Sequence, residues 1–200
     1  MGRNAPLIER YIMDRNIESY LKIYNDFLSP KECKQVIKDL KKDDEQFVQH
    51  SYYNILENKS ETHVDDLSIS YANIPLREEM MKRTWDLIHT YINDFGYRWF
   101  DRWSGFSEIR FNKYEVGKFM KIHADHIQTL FDGQRRGIPI LSIVGILNDD
   151  YEGGEFIFWD ETPLTLKAGD IVVFPSNFLY PHYVKPVTKG TRYSFVSWVW

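Results

Sequence analysis

The sequence predicts a mainly β (α+β) fold: a double-sheet jelly roll, or double-stranded β-helix, with N-terminal helices packed outside it. Three observations lead there. About eight short segments rich in Val, Ile, Phe, Tyr and Trp follow residue 106, punctuated by glycines. Two stretches before that point carry a helical period of apolar residues. Aromatic residues make up 16% of the chain, which suits sheet faces and pocket walls.

The first helix signal is Ser29-Pro30, an N-cap followed by proline at the first helical position. Cys33, Val36, Ile37 and Leu40 then fall on one helix face. A second helix is expected from about Leu76 to Asp94, with Met80, Met81, Trp85, Leu87, Ile88, Tyr91 and Ile92 as its apolar stripe and Gly96 as its stop. Residues 47–74 are expected to hold one or two short strands and a polar loop around Asn58–Asp66. The later strand-like segments lie near 107–115, 118–125, 139–148, 154–159, 163–167, 170–175, 181–187 and 191–200. No repeat, low-complexity stretch or linker interrupts them. The chain therefore reads as one domain over residues 1–200, with helical support in 1–105 and the jelly-roll core in 106–200.

Composition narrows the function classes. A formal charge of −4 and a pI of about 5.9 supply no broad attraction for phosphate backbones, so nucleic acid is not the expected partner. Cys33 is the sole cysteine and cannot form an intramolecular disulfide. The start, MGRNAPLIERYIMDRN, lacks an apolar leader core, and no stretch approaches the length of a membrane span. The expectation is a soluble, cytoplasmic protein, which makes the Asn58-Lys59-Ser60 sequon incidental. No P-loop, dinucleotide fingerprint, G-x-S-x-G elbow or HExxH zinc helix is present.

The chemistry concentrates in KFMKIHAD, residues 118–125. In a strand, His123 and Asp125 share a face. An imidazole and a carboxylate suit a borderline divalent metal, and a third imidazole completes the two-histidine, one-carboxylate triad of non-haem iron oxygenases. The tripeptide alone reads more readily as an exposed turn histidine beside a solvated aspartate. Its context adds His182 in PHYVKPV and Arg192 in GTRYSFVSWVW. In that last strand Arg192, Ser194, Val196 and Trp198 share one face, and the other face is also largely apolar, as in a central strand. A buried arginine there needs an acid. The distal carboxylate of a dicarboxylic acid and an internal salt bridge to one of the 29 acidic side chains both remain open.

Taken together, Tyr114, Gly117, His123 and Asp125, then LNDDYEGGEFIF at 147–158, AGDIVVFPS at 168–176, His182 and GTRYSFVSW at 190–198 resemble the Fe(II)/2-oxoglutarate-dependent dioxygenase superfamily, in its prolyl 4-hydroxylase-like branch. IYNDFLSPKEC at 23–33 resembles the segment leading into that branch's first helix. The resemblance implies iron ligation by His123, Asp125 and His182, and capture of the 2-oxoglutarate C5 carboxylate by Arg192. It implies co-substrate pocket positions for Tyr114 and Trp198. Some relatives place a second hydroxyl against that carboxylate; here Ile146 stands in its neighbourhood, with Ser142 and Ser194 as alternatives. The implied cofactors are Fe(II), 2-oxoglutarate and O2, with ascorbate as an optional addition. The implied reaction hydroxylates a C–H bond of a peptidyl or free proline, releasing succinate and CO2. A non-proline small molecule or a nucleobase is the alternative substrate, and a non-catalytic binding module the alternative class. Trp198 stands where base-repairing relatives carry a second arginine, and Asp125 where related halogenases lack the acid.

Three loops are candidates for substrate contact. They are HIQTLFDGQRRGI at 126–138 with Phe131, Arg135 and Arg136, NKSETHVDD at 58–66, and the aromatic, arginine-bearing YRWFDRWSGF at 97–106. The last also reads as core packing with snorkelling arginines. His63 is expected on the surface and His126 outside the triad, while His50 and His89 show no pattern. Oligomeric state has no sequence signal.

Overall fold

The computed structural model describes residues 16–54, 57–96, 103–125, 139–159 and 161–200. In chain order these form β1 (Lys22–Tyr24), α1 (Pro30–Lys42), β2 (Val48–Gln49), β3 (Ser51–Asn54), β4 (Lys59–Thr62), β5 (Ser68–Ser70) and α2 (Arg77–Phe95). There follow β6 (Arg110–Tyr114), β7 (Met120–His123), β8 (Leu141–Ile146), β9 (Glu152–Gly153), β10 (Phe156–Phe158) and β11 (Thr162–Pro163). The last are β12 (Ile171–Pro175), β13 (His182–Val184), β14 (Val187–Lys189) and β15 (Arg192–Val199). A seven-stranded sheet of order β1-β12-β8-β15-β6-β5-β2 faces a four-stranded sheet of order β11-β10-β13-β7, which is the expected jelly roll. Among the described residues no helix is long and apolar enough to cross a membrane.

Period-2 alternation sorts the large sheet into two faces. Leu141, Ile143, Ile171, Val173, Phe195 and Val199 turn outward and pack on Cys33, Val36 and Leu40 of α1 and on Met80, Leu87, Ile88, Tyr91 and Phe95 of α2. Val144, Val172, Phe174, Val196 and Trp198 turn inward to meet Met120, Phe156, Phe158 and Val184 of the small sheet. β15 is buried along its whole length, lying between β8 and β6. Its neighbour Gly145 sits beneath the Phe195 ring, where an added Cβ would lie 2.1 Å from a ring carbon. Gly145→Ala therefore overpacks a core with no room to relax, and chemical denaturation is expected to show a loss of about 1–3 kcal/mol.

The start of α1 is a capping box. The Ser29 hydroxyl accepts from the Glu32 amide, and the Glu32 carboxylate accepts from the Ser29 amide at 2.7 Å. Glu32 also takes a bond from Arg83 of α2 at 2.8 Å, which ties the helices together. The Arg83 bond, then the Ser29 amide, bring the Glu32 pKa down to about 2. A carboxyl depressed on folding stabilises above its ordinary value of 4.5 and loses that contribution as pH falls towards 2. With solvent screening, Glu32→Gln is expected to cost about 1 kcal/mol at neutral pH. Urea titrations of the two proteins should converge as the solution is acidified through that window.

The structure differs from the sequence reading in several places. The N-terminal part is not purely helical: β1, β2 and β5 are strands of the large sheet itself. Residues 47–74 hold four short strands, and the expected loop at Asn58–Asp66 contains β4 of the β3–β4 hairpin. The strand foreseen over 118–125 stops at His123, so Asp125 is outside it. That foreseen at 163–167 shrinks to Thr162–Pro163, and 181–187 divides into β13 and β14. In α2, Trp85 leaves the apolar stripe. It is 48% exposed and packs on the rings of His89 and Trp103, while Phe95 closes the buried face.

Candidate metal centre

β7 and β13 are neighbours in the small sheet, and their register sets His123 directly opposite His182. The two rings lie 4.4 Å apart. Each ring is oriented by its own backbone: Nδ1 of His123 lies 2.7 Å from the Lys121 carbonyl, and Nδ1 of His182 lies 3.0 Å from that of Tyr180. A carbonyl only accepts, so each Nδ1 carries the proton and each Nε2 keeps its lone pair. Both Nε2 atoms turn to the same oxygen, Oδ1 of Asp125, at 3.4 and 3.7 Å.

Asp125, two residues past His123 and beyond the end of β7, is aimed by hydrogen bonds rather than by strand geometry. Its Oδ2 accepts from Ser142 Oγ at 2.6 Å and from Trp198 Nε1 at 3.0 Å. Ser142 is paired in turn with Ser176 at 2.8 Å. One carboxylate oxygen is thus saturated and the other faces two imidazole lone pairs. The three ligand atoms fall within 4.8 Å of one another, the only such group of three among the described residues.

The electrostatics agree with that geometry. Burial opposes the charge of Asp125, but His182, His123 and the Ser142 bond outweigh it and hold the carboxyl well below the usual range. Burial pushes His182 down to about 4, the aspartate offsetting only part of it. Burial also works against a charged His123, yet there the Asp125 bond prevails and the net shift is upward. Phe156, Phe158 and Phe174 crowd the His182 ring at 5.0–5.6 Å and keep it dry.

At the other end of the cavity Arg192 is 1% exposed. It faces Tyr114 across β15 and β6, with its Cζ 5.0 Å from the Tyr114 ring centre. One terminal nitrogen donates to Ser194 Oγ at 2.9 Å, and Nε has no partner. Among the described residues no ion pair reaches Arg192, so the internal salt bridge left open by the sequence is not found there. Ser142 is committed to Asp125, which leaves Ser194 as the hydroxyl beside the guanidinium. Tyr114 is buried, with its pKa raised chiefly by that burial.

Two polar residues of the cavity lining escaped the sequence reading: Arg110 and Asn112, which alternate with Tyr114 along β6. Arginine at the start of a strand reads as solvated, and only the register reveals that it faces inward. A roomier cleft of about 1150 Å³ lies beside α1, but among the described residues no three ligand groups converge in it. His63 is exposed and His50 is buried, its pKa lowered to about 3 chiefly by that burial. Residues 126–138, with His126, and most of 97–106 lie outside the described residues.

Comparison with known proteins meets this geometry at the same residues. Residues 109–200, which carry all four groups, match the family model of the 2OG-Fe(II) oxygenase superfamily. A PKHD-type hydroxylase of Idiomarina loihiensis is 35% identical over 96 residues, 46% of this chain and 42% of that protein. The chain thus spans about two fifths of the length of the curated relatives it matches. A Pseudomonas putida prolyl-4-hydroxylase superposes with a TM-score of 0.63 at 21% identity, over 90% of this chain and 91% of that one. A Trichoplax adhaerens prolyl hydroxylase, solved with a hypoxia inducible factor peptide, gives 0.67 at 18%, over 90% and 83%. At those identities the likeness is one of fold.

Proposed function

We propose that this protein is an Fe(II)- and 2-oxoglutarate-dependent dioxygenase that hydroxylates a free or peptidyl proline, or a similar C–H bond. His123, Asp125 and His182 would hold the metal. Their donor set of two nitrogens and one oxygen fits a divalent ion, which at bonds of ~2.1 Å and right angles wants its ligand atoms ~3 Å apart. A triad on one side leaves the remaining positions for a chelating co-substrate and dioxygen. When bound, Fe(II) and 2-oxoglutarate supply the oxidising chemistry, with succinate and CO2 as co-products. Ascorbate enters as an assay addition.

The observation that carries this reading is Arg192. A buried guanidinium without an acid is costly, and a ligand carboxylate repairs that cost. Arg192 and Ser194 would take the C5 carboxylate in a fork, with Tyr114 walling the co-substrate. Trp198 and Ser142 would keep Asp125 turned to the metal, and the phenylalanines around His182 would keep water out. The same reading takes residues 1–200 as one domain, because β1, β2 and β5 complete the sheet that presents Arg192.

Anaerobic Fe(II) and 2-oxoglutarate are expected to give a weak visible charge-transfer band at equimolar stoichiometry. In air, free proline or a proline peptide is then expected to accelerate succinate release. A protein that binds neither iron nor 2-oxoglutarate would sink the class; one that binds both but ignores proline would sink only the substrate.

A further inference from the structure

A carboxylate takes a divalent ion through one oxygen or through both, and the surroundings of its second oxygen decide which. Oδ1 of Asp125 meets both imidazoles, whereas Oδ2 is held by the large sheet. Ser142 and Trp198, the two donors, are cross-strand partners on β8 and β15 and stand in one row of that sheet. Asp125 follows β7 of the small sheet, so these bonds cross the interior from one sheet to the other.

A further hydroxyl fixes the sense of the row. Ser142 has one hydroxyl proton and gives it to Asp125 at 2.6 Å. In its 2.8 Å contact with Ser176 it is therefore the acceptor, and Ser176 donates. Ser176 comes directly after β12, whose Phe174 pairs with Ser142. Its amide bonds the Ile140 carbonyl at 3.0 Å, which anchors it beside the start of β8. The two serines are 0% and 1% exposed, too deep for bulk water to replace either hydroxyl. From Ser176 the chain turns through Tyr180, whose carbonyl orients His182. One short segment thus steadies the acid at its start and supplies a histidine at its end.

We infer that Ser142, Ser176 and Trp198 restrict Asp125 to one-oxygen coordination, with Ser176 a positioning residue that acts through Ser142. This rests on the iron and 2-oxoglutarate reading and sets a condition for it. Two nitrogens and one oxygen leave half of an octahedron open, as a chelating co-substrate and dioxygen together require. Turning Oδ2 to the metal would break two charge-assisted bonds in a buried site and close one of those positions. The serines and the indole keep it open from behind the acid.

The test counts water on a bound ion. The full chain is loaded with an excess of Mn(II) alone, a divalent ion that accepts the same donors. Broadening of its electron paramagnetic resonance lines in water enriched in the magnetic oxygen isotope gives the number of water ligands. The unaltered protein is expected to show about three, Ser142→Ala/Trp198→Phe about two, and Ser176→Ala a value between. Ser176→Thr keeps the hydroxyl and should restore the wild-type count. Mn(II) affinity should fall by about 10–100-fold at most, the cost of losing outer partners, so excess ion still loads every variant. A purely structural role for Ser176 would lower the stability of Ser176→Ala and leave its count at the wild-type value, and that result overturns the inference. A count of about two in the unaltered protein overturns it as well, because the acid would already bind through both oxygens. If the double variant does not fold, Ser142→Ala and Ser176→Ala, each the loss of one oxygen atom, decide by the same count. An unaltered protein that binds no Mn(II) overturns the metal reading itself, and this inference with it.

Discussion

In His182→Ala, Fe(II) affinity is expected to fall by more than ~10²-fold, and the anaerobic charge-transfer band to disappear. Loss of an outer hydrogen-bond partner alone costs metal sites about 10–100-fold, and here a whole ligand goes. The remaining pair, His123 and Asp125, keeps two of the three atoms that face one another. Alanine also opens a void among Phe156, Phe158 and Phe174. Circular dichroism therefore belongs beside the iron titration, with His182→Gln as the volume-matched control. A folded His182→Gln protein that binds iron like the wild type would remove His182 from the triad.

The second large effect concerns Arg192. Replacing it with methionine keeps most of the stem and deletes the charge. Affinity for 2-oxoglutarate is expected to drop by at least ~10²-fold, in line with the ~2–5 kcal/mol lost when one partner of a buried charge pair is removed. Iron binding, at the other end of the cavity, should survive. Thermal stability is expected to move the opposite way. Without co-substrate the wild type buries a guanidinium whose Nε is unsatisfied, and the variant does not. The ligand-free variant should therefore melt at or above the wild-type temperature, and only added 2-oxoglutarate should restore the wild type's advantage. Undiminished co-substrate binding in the variant would detach Arg192 from the co-substrate.

The strands and helices that show a period were legible in the sequence, because burial on one or both faces writes that period into eight or more residues. β15 and α2 are examples. β1, β2 and β5 were not, being two or three residues long with exposed side chains such as Ile23 and Val48. A piece that short gains its identity from the neighbour it pairs with. The residues of the triad could be named from their order along the chain, but how Asp125 is aimed could not. An i, i+2 spacing implied strand alternation, whereas its direction comes from Ser142, Ser176 and Trp198, remote in sequence and joined only by the fold. Arg110 stayed hidden for the same reason: its meaning depends on a facing strand more than eighty residues away.

The central place of β15 also governs when this protein becomes itself. β6 and β8 each find their shared neighbour only after residues 192–199 have left the ribosome. Until then Asp125 lacks the Trp198 indole that helps to aim it, and β6 and β8 each keep one edge unpaired. Closing the sheet therefore depends on pairings between strands distant in sequence, a regime of slow folding.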